Sequence, residues 1–247
     1  MTDAATSEQT KGWQGTVLKL MGGSDVLLTV LAAEDVTPHY RRLTVSAGGL
    51  FTRKPVHPTM WLRLWFPTDD GSASLHHRAY TVVNPDPEND RFDLEFALHD
   101  GPAAHWARRA APGDTLEATF QGSKYAVPDP LPAGYLIAGD SAALPAVNSL
   151  LAALPDDLPV TLWLETVHDG DDALPLAATS ATQVHRVRRR DGGASMVEAV
   201  SAAAFDASRH AAWVACDTVT TRSIASILKS DYRVPRRSVK AQGYWIP

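Results

Sequence analysis

The chain of 247 residues holds a single cysteine, Cys216. One thiol excludes an internal disulfide and any cysteine-cluster metal site. No run approaches the roughly 18 apolar residues a membrane-spanning helix needs, so stable membrane insertion is not expected. Met1–Lys11 also lacks the apolar centre of a signal peptide. An excess of positive charge is missing too: 23 Lys+Arg stand against 28 Asp+Glu, a net charge of −5. Binding to nucleic acid usually needs a basic face, so nucleic acid is not an expected partner. No His/Cys/carboxylate cluster points to a resident metal, and neither an internal repeat nor a low-complexity tract is present. What the chain does have is apolar residues, 45% against 21% charged, enough to bury a sizeable core. Its length exceeds one typical domain of about 100–200 residues. These numbers describe a cytoplasmic globular protein, taken as a monomer, that is an enzyme or a small-ligand binder rather than a scaffold.

The apolar pattern divides the chain in two. Residues 1–12 are polar, small and aperiodic and read as a disordered leader. Trp13–Met21 reads as a short helix. From there to about Val127, short strand signals recur between Pro, Gly and Asp clusters: Leu27–Ala33, Arg41–Ser46, Met60–Phe66, Ala79–Val83, Phe92–Leu98 and Thr115–Gln121. Phe92–Leu98 alternates, predicting one wet and one dry face. Many short strands at this spacing predict an antiparallel β-barrel. Pro102–Ala110 is the one helix within the series, with Pro near its start and Pro112-Gly113 beyond its end.

Val127-Pro-Asp-Pro-Leu-Pro-Ala-Gly134 is the clearest linker. Beyond it the pattern alternates. Strands are expected at Tyr135–Ala138, Pro159–Glu165, Gln183–Arg188, Ala211–Ala215 and Val239–Tyr244. Helices are expected at Leu144–Leu154, Ser195–Ala204 and Thr220–Lys229. Such βαβ alternation predicts a mostly parallel sheet covered by helices. The expected architecture is therefore β plus α/β: a barrel domain over 13–130 and an α/β domain over 131–247.

Several ordered motifs carry chemistry. Arg78-Ala-Tyr-Thr81 sits where a barrel strand is expected to begin. A guanidinium makes charge-assisted bonds to phosphate, and an aromatic plane stacks on a planar ring. Taken alone, the tetrad is equally an ordinary strand with an exposed arginine. His99-Asp-Gly-Pro-Ala-Ala-His-Trp-Ala107 opens the barrel-domain helix, where free backbone N–H groups suit a diphosphate. Trp106 could as well be a core aromatic and His99 a strand-end histidine. Ala138-Gly-Asp-Ser-Ala-Ala-Leu-Pro-Ala146 joins the first strand and first helix of the second domain, the crevice where α/β sheets bind ligands. It is not Gly-x-Gly-x-x-Gly. Arg233, Arg236, Arg237 and Lys240 precede the ending Gly243-Tyr-Trp245, and such a run can also be a solvated face. Arg188–Arg190 is followed by Asp191-Gly-Gly and reads as a loop. Cys216 reads as a small buried residue without a redox role.

Taken in order, with Thr37–Arg42 and Ala111–Asp114, these motifs resemble the siderophore-interacting protein family. These are FAD-binding ferric-siderophore reductases of the ferredoxin-reductase superfamily. Within the family, the chain is most similar to the siderophore-interaction domain fused to the mycobacterial ferric-mycobactin importer. The resemblance runs from Trp13 to the end. It implies an FAD site in which Arg78 meets the diphosphate, Tyr80 packs on the isoalloxazine, Thr81 bonds N5 and Val82 adjoins them. Tyr80 and Thr81 are then the catalytic residues. Gly101, Ala103 and Ala104 offer main-chain contacts, Trp106 packs below, and His99 borders the turn. Gly139, Asp140, Ser141 and Ala142 face flavin and nicotinamide, and Tyr244 and Trp245 lie beside the domain junction. Lys240, with Arg236 and Arg237, holds an anionic ferric siderophore. NAD(P)H is the implied electron donor, with ferredoxin as the other candidate.

The sequence also departs from the family at named positions. Val83 replaces a second arginine, Ala142 replaces a threonine, and Cys216-Asp217 replaces Gly-Glu. A general flavin reductase and a non-catalytic flavin- or siderophore-binding protein are the competing readings.

Overall fold

The computed structural model describes residues 11, 23–68, 74–121 and 124–247. The expected Trp13–Met21 helix and all of the 1–12 leader except Lys11 fall outside these residues. Lys11 pairs with Asp25 at 3.1 Å and Glu117 at 2.7 Å, so this one position is tied to the first sheet. Two compact units divide at Tyr125/Ala126.

The first unit contains β1 (Ser24–Thr37), β2 (Tyr40–Ser46), α1 (Leu50–Arg53), β3 (Trp61–Pro67), β4 (Leu75–Thr81), β5 (Val83–Asp86), β6 (Arg91–Ala97), α2 (Pro102–Arg109) and β7 (Thr115–Phe120). Their hydrogen-bonded order is β4-β3-β7-β1-β2-β6-β5, an antiparallel sheet curled into a half-barrel. Register shifts in β1 between Val30 and Ala32 and between Asp35 and Thr37 supply bulges that bend the long strand. Inside the curl lie Leu28, Leu43, Leu62, Leu64, Phe66, Phe92, Leu94 and Phe96, all buried.

Two expectations are corrected here. Ala79–Val83 is not one strand. The ladder breaks at Val82, whose N–H turns to Met60 O at 2.8 Å, and Asn84 takes φ +45°. Arg78 therefore lies well inside β4 rather than at a strand start. On β6 the alternation fails at Glu95, which is 6% exposed. The Tyr40 hydroxyl at 2.9 Å and both Arg42 Nε (3.0 Å) and Nη2 (2.7 Å) donate to its carboxylate. A carboxylate taken out of water needs partners of this kind to offset its lost hydration.

The second unit contains β8 (Tyr135–Gly139), α3 (Leu144–Leu151), β9 (Val160–Thr166), β10 (Thr182–Arg188), α4 (Ala194–Ala202), β11 (Ala211–Ala215), α5 (Thr218–Ser230) and β12 (Val239–Ala241). The sheet is parallel with order β10-β9-β8-β11-β12. Every residue of β8 and β11 is buried, as expected for strands covered on both faces. Asp217 caps α5 by accepting from the N–H groups of Val219 and Thr220, both at 2.9 Å. The last strand stops at Ala241 rather than Tyr244. At Gly243 the chain passes Thr218 so closely that a Cβ would clash with its side chain. The expected class, an antiparallel flavin-type barrel followed by α/β, is the observed one. Among the described residues no helix is long and apolar enough to cross a membrane.

Candidate functional site

In the first unit the candidates sit on β4 and at the start of α2. Tyr80 packs its ring against Phe96 at 4.4 Å and meets Phe66 edge-on at 5.9 Å. Trp106, from α2, meets the same two rings at 6.3 and 5.6 Å. The sequence-predicted Tyr80 and Trp106 are thus brought to one aromatic cluster. Burial pushes the Tyr80 phenol well above its usual range, opposed by the nearby Arg78 charge. The hydroxyl therefore stays protonated at physiological pH.

Arg78 is exposed, and its Nη1 donates only to the adjacent His77 carbonyl at 2.9 Å. No carboxylate among the described residues pairs with it. Thr81 is 6% exposed and lies opposite Trp61 in the β3 ladder; Val82 is buried beside it.

Helix α2 starts at Pro102, and Ala103, Ala104 and Ala107 form its buried stripe. No side chain caps its first turn, and Arg108 and Arg109 occupy the last, complementing the helix dipole. Gly101 precedes it with φ +153°, and a Cβ there would press on the His99 ring at 3.2 Å. This glycine lets His99 and the helix start share one corner. His99 Nδ1 lies 2.8 Å from Asp100 O, and the His99 carbonyl accepts from Arg108 at 3.0 Å. His105 Nε2 lies within hydrogen-bond distance of Asp100 Oδ1, 2.8 Å.

In the second unit Gly139 ends β8 and Asp140 begins the turn into α3. Asp140 is 4% exposed; its Oδ1 accepts from Ala143 N–H at 2.9 Å and its Oδ2 from the Trp245 indole at 2.8 Å. Burial raises its pKa, against the pull of those hydrogen bonds and of Arg189. Ser141 is half-buried and Ala142 exposed. The tail is held by backbone bonds: Gln242 N–H to Val214 O at 2.9 Å, Tyr244 N–H to Cys216 O at 2.8 Å, and Thr218 N–H to Trp245 O at 2.9 Å. Tyr244 also meets Trp213 edge-on at 6.2 Å. The structure thus brings Asp140 and Trp245 together at the carboxyl edge of the sheet.

Sequence reading missed a buried ion network at this edge. Arg189, read as loop, donates from Nη1 to Glu165 and from Nη2 to Asp217 at 3.1 Å. The two carboxylates have 0% side-chain exposure. Burial raises the Glu165 pKa despite Arg189, whereas hydrogen bonds from Thr220, Arg189 and Val219 outweigh burial at Asp217 and lower it. Burial and the three neighbouring carboxylates hold the Cys216 thiol well above its ordinary value, so it remains a neutral, buried group. A usable signal existed in the sequence: acids at the ends of three buried strand patterns require a cation among them.

Arg236 and Arg237 lie exposed in a single turn just before β12, and Lys240 projects from that strand opposite Trp213. Arg233 is partly committed, 3.3 Å from Asp206.

A family model described as siderophore-interacting protein matches residues 132–247. A second, described as siderophore-interacting FAD-binding domain, matches residues 69–120. The mycobactin import ATP-binding/permease protein IrtA of Mycolicibacterium thermoresistibile is 39% identical over 241 residues, 95% of this chain and 26% of that protein. The ferric vibriobactin reductase ViuB of Vibrio cholerae is 29% identical over 177 residues, 68% of this chain and 64% of that protein. The chain thus spans about a quarter of the importer's length. A crystal structure of a siderophore utilization protein from T. fusca aligns with a TM-score of 0.79 at 23% identity, covering 91% of this chain and 93% of that one.

Proposed function

The chain belongs to the siderophore-interacting protein family, and from that premise we propose that it is an FAD-dependent ferric-siderophore reductase. The observation that carries the reading is the first-unit corner where β4 presents an exposed Arg78, without a carboxylate partner among the described residues, beside Tyr80 and Thr81. The same unit supplies the start of α2, where the Gly101 N-cap offers no side chain. An exposed guanidinium, helix-start N–H groups and an aromatic ring are the complement of a dinucleotide with a flat heterocycle. The residues present therefore fit FAD. The ferric vibriobactin reductase among the relatives supports the reductive chemistry, and the mycobactin importer supports a siderophore as substrate.

In this reading Arg78 and the N–H groups of Ala103 and Ala104 hold the diphosphate. Val83, in place of an arginine, leaves them the larger share of that charge. Tyr80, backed by Phe96, packs against the ring system, and the Thr81 hydroxyl offers a hydrogen bond to it. His99 and Gly101 shape the turn between them. Bound FAD supplies the conversion between two-electron and one-electron transfer. The electrons come from NAD(P)H or a ferredoxin.

In the second unit, Asp140 fixes the turn through Ser141 and Ala142 and anchors Trp245. Exposed Lys240, Arg236 and Arg237 attract an anionic ferric siderophore. Ferric iron is the cargo: hard oxygen donors grip iron(III) more strongly than iron(II), so one added electron loosens the chelate.

The test is to load the protein with FAD and follow bleaching of its absorbance under anaerobic conditions with NADH, NADPH and reduced ferredoxin in turn. Bleaching by at least one donor is expected. A protein that takes up no FAD, or whose FAD no donor reduces, contradicts the proposal.

A further inference from the structure

Of the buried network, Arg189, Glu165 and Asp217 take no part in the steps above. Asp140 follows β8, Glu165 lies on β9, Asp217 follows β11, and Arg189 follows β10, so four neighbouring strands each bring one charge to the same edge. Nη1 and Nη2 of the guanidinium go to Glu165 and Asp217. The guanidinium carbon also lies over the Trp245 indole, 5.0 Å from the ring centroid, a cation–π contact. The indole N–H then goes to Asp140 Oδ2 at 2.8 Å. Gly193 makes room for the arrangement. At φ +100°, a Cβ here would strike the Thr220 hydroxyl, while Arg189 and Asp217 lie at contact distance, 3.4 and 3.5 Å.

Backbone bonds at Tyr244 and Thr218 fix where the tail runs, but they leave the Trp245 side-chain torsions free. Among the described residues, the indole's hydrogen bond goes to Asp140 and its cation–π contact to Arg189. Neutralising the acids alone would need no such geometry: a lysine gives the charge, but not a two-pronged edge and a stacking face at once.

We propose that Arg189 is the positioning residue of the C-terminal aromatic, holding Trp245 by its guanidinium so that the indole presents a fixed platform to a planar heteroaromatic ring. The indole sits at the carboxyl ends of β8 and β11, where the strand order reverses and doubly wound sheets take ligands. It is 38% exposed, which leaves surface for stacking. The ring is the nicotinamide of the electron donor, a ligand that this edge of the second unit can take by itself. The inference rests on the proposed function for its ligand, while the clamp itself can be measured without one.

The experiment uses the full chain and the indole N–H resonance of Trp245, assigned by its loss in Trp245→Phe. Without any cofactor, its exchange with solvent should be about tenfold slower in the wild type than in Arg189→Lys. The melting temperature of that variant should stay within a few degrees, because the buried acids keep a cation. FAD is then added, followed by NAD+ or NADP+, and one of the two nicotinamide nucleotides should move the Trp245 line. In turnover, Arg189→Lys should lower kcat/KM for the electron donor about tenfold with FAD content unchanged.

Equal indole exchange in wild type and Arg189→Lys overturns the proposal. So does a Trp245 line that neither nicotinamide nucleotide moves in protein that has bound FAD. If Arg189→Lys does not fold, the wild type alone decides, since rapid exchange of its Trp245 N–H also overturns the clamp. Should the protein bind no FAD at all, the proposed function fails, and the cofactor-free comparison still judges Arg189.

Discussion

Tyr80 and Phe96 hold their rings 4.4 Å apart with planes 39° from parallel, so the residue assigned to the flavin is also a part of the first unit's core. Removing it must therefore do two things. Tyr80→Ala should cost about 2 kcal/mol of folding stability through lost packing. It should also weaken FAD binding by about 1 kcal/mol, roughly fivefold in Kd. Tyr80→Phe keeps the ring and should change neither by much. Urea unfolding and a flavin titration separate the two effects. A Tyr80→Ala protein that is less stable but binds FAD normally would reduce Tyr80 to a core residue.

Arg78 makes the complementary case, because its side chain is exposed. Exposed and without a carboxylate partner among the described residues, it can be lost with a stability change within about 0.5 kcal/mol. Arg78→Ala should nevertheless weaken FAD binding by about 2 kcal/mol, roughly thirtyfold in Kd, because a charge-assisted bond to phosphate is lost. The same titration measures it. Unchanged affinity would show that the diphosphate is held without this side chain.

Lys240 is the test of the substrate face. Lys240→Ala should raise KM for an anionic ferric siderophore about fivefold, near 1 kcal/mol, with FAD content unaltered. Raising the ionic strength should narrow the gap, since screening weakens the wild-type attraction first. Steady-state kinetics at two salt concentrations, with one anionic and one cationic ferric siderophore, measure this. Identical behaviour of variant and wild type toward both would return Lys240, Arg236 and Arg237 to the role of solvated charges.

The buried network predicts a dependence on pH. Burial raises the Glu165 carboxyl above its ordinary 4.5, so the folded chain keeps this proton to a higher pH than the unfolded chain does. The stabilising contribution of the group is complete below 4.5 and is lost as pH rises through the folded value. Glu165→Gln keeps the size of the side chain and removes the titration. Relative to that variant, the wild type should lose stability as pH rises from 4.5 toward neutral, by about 1.4 kcal/mol for each unit of the shift. Asp217, shifted the other way, shares Arg189 with Glu165, so the difference reads the coupled pair rather than Glu165 alone. Urea unfolding at several pH values checks this, and parallel curves for the two proteins would contradict it.

Most of the architecture was legible because it follows from local pattern. Apolar runs such as Tyr135–Ala138 and Ala211–Ala215 could only be buried parallel strands, and Gly101-Pro102 announced α2. What escaped was set by partners far along the chain. Glu95 broke a clean alternation because its cation, Arg42, lies 53 residues away. Arg189 looked like one of three loop arginines because Glu165 and Asp217 stand 24 and 28 residues off. Its charge had a clue in the three acids, but its contact with Trp245 had none. Helix α1, at Leu50–Arg53, is too short to leave a periodic signal.

The most direct measurement is a single turnover. FAD-loaded protein is reduced under anaerobic conditions, mixed with a ferric siderophore, and followed at the flavin band together with an iron(II)-specific chromogenic chelator. The proposed function predicts that flavin reoxidation and iron(II) appear together, with two iron(II) formed for each reduced FAD consumed. Reduced protein that holds its electrons while no ferric siderophore yields iron(II) would contradict it and leave a protein that binds flavin or siderophore without turnover.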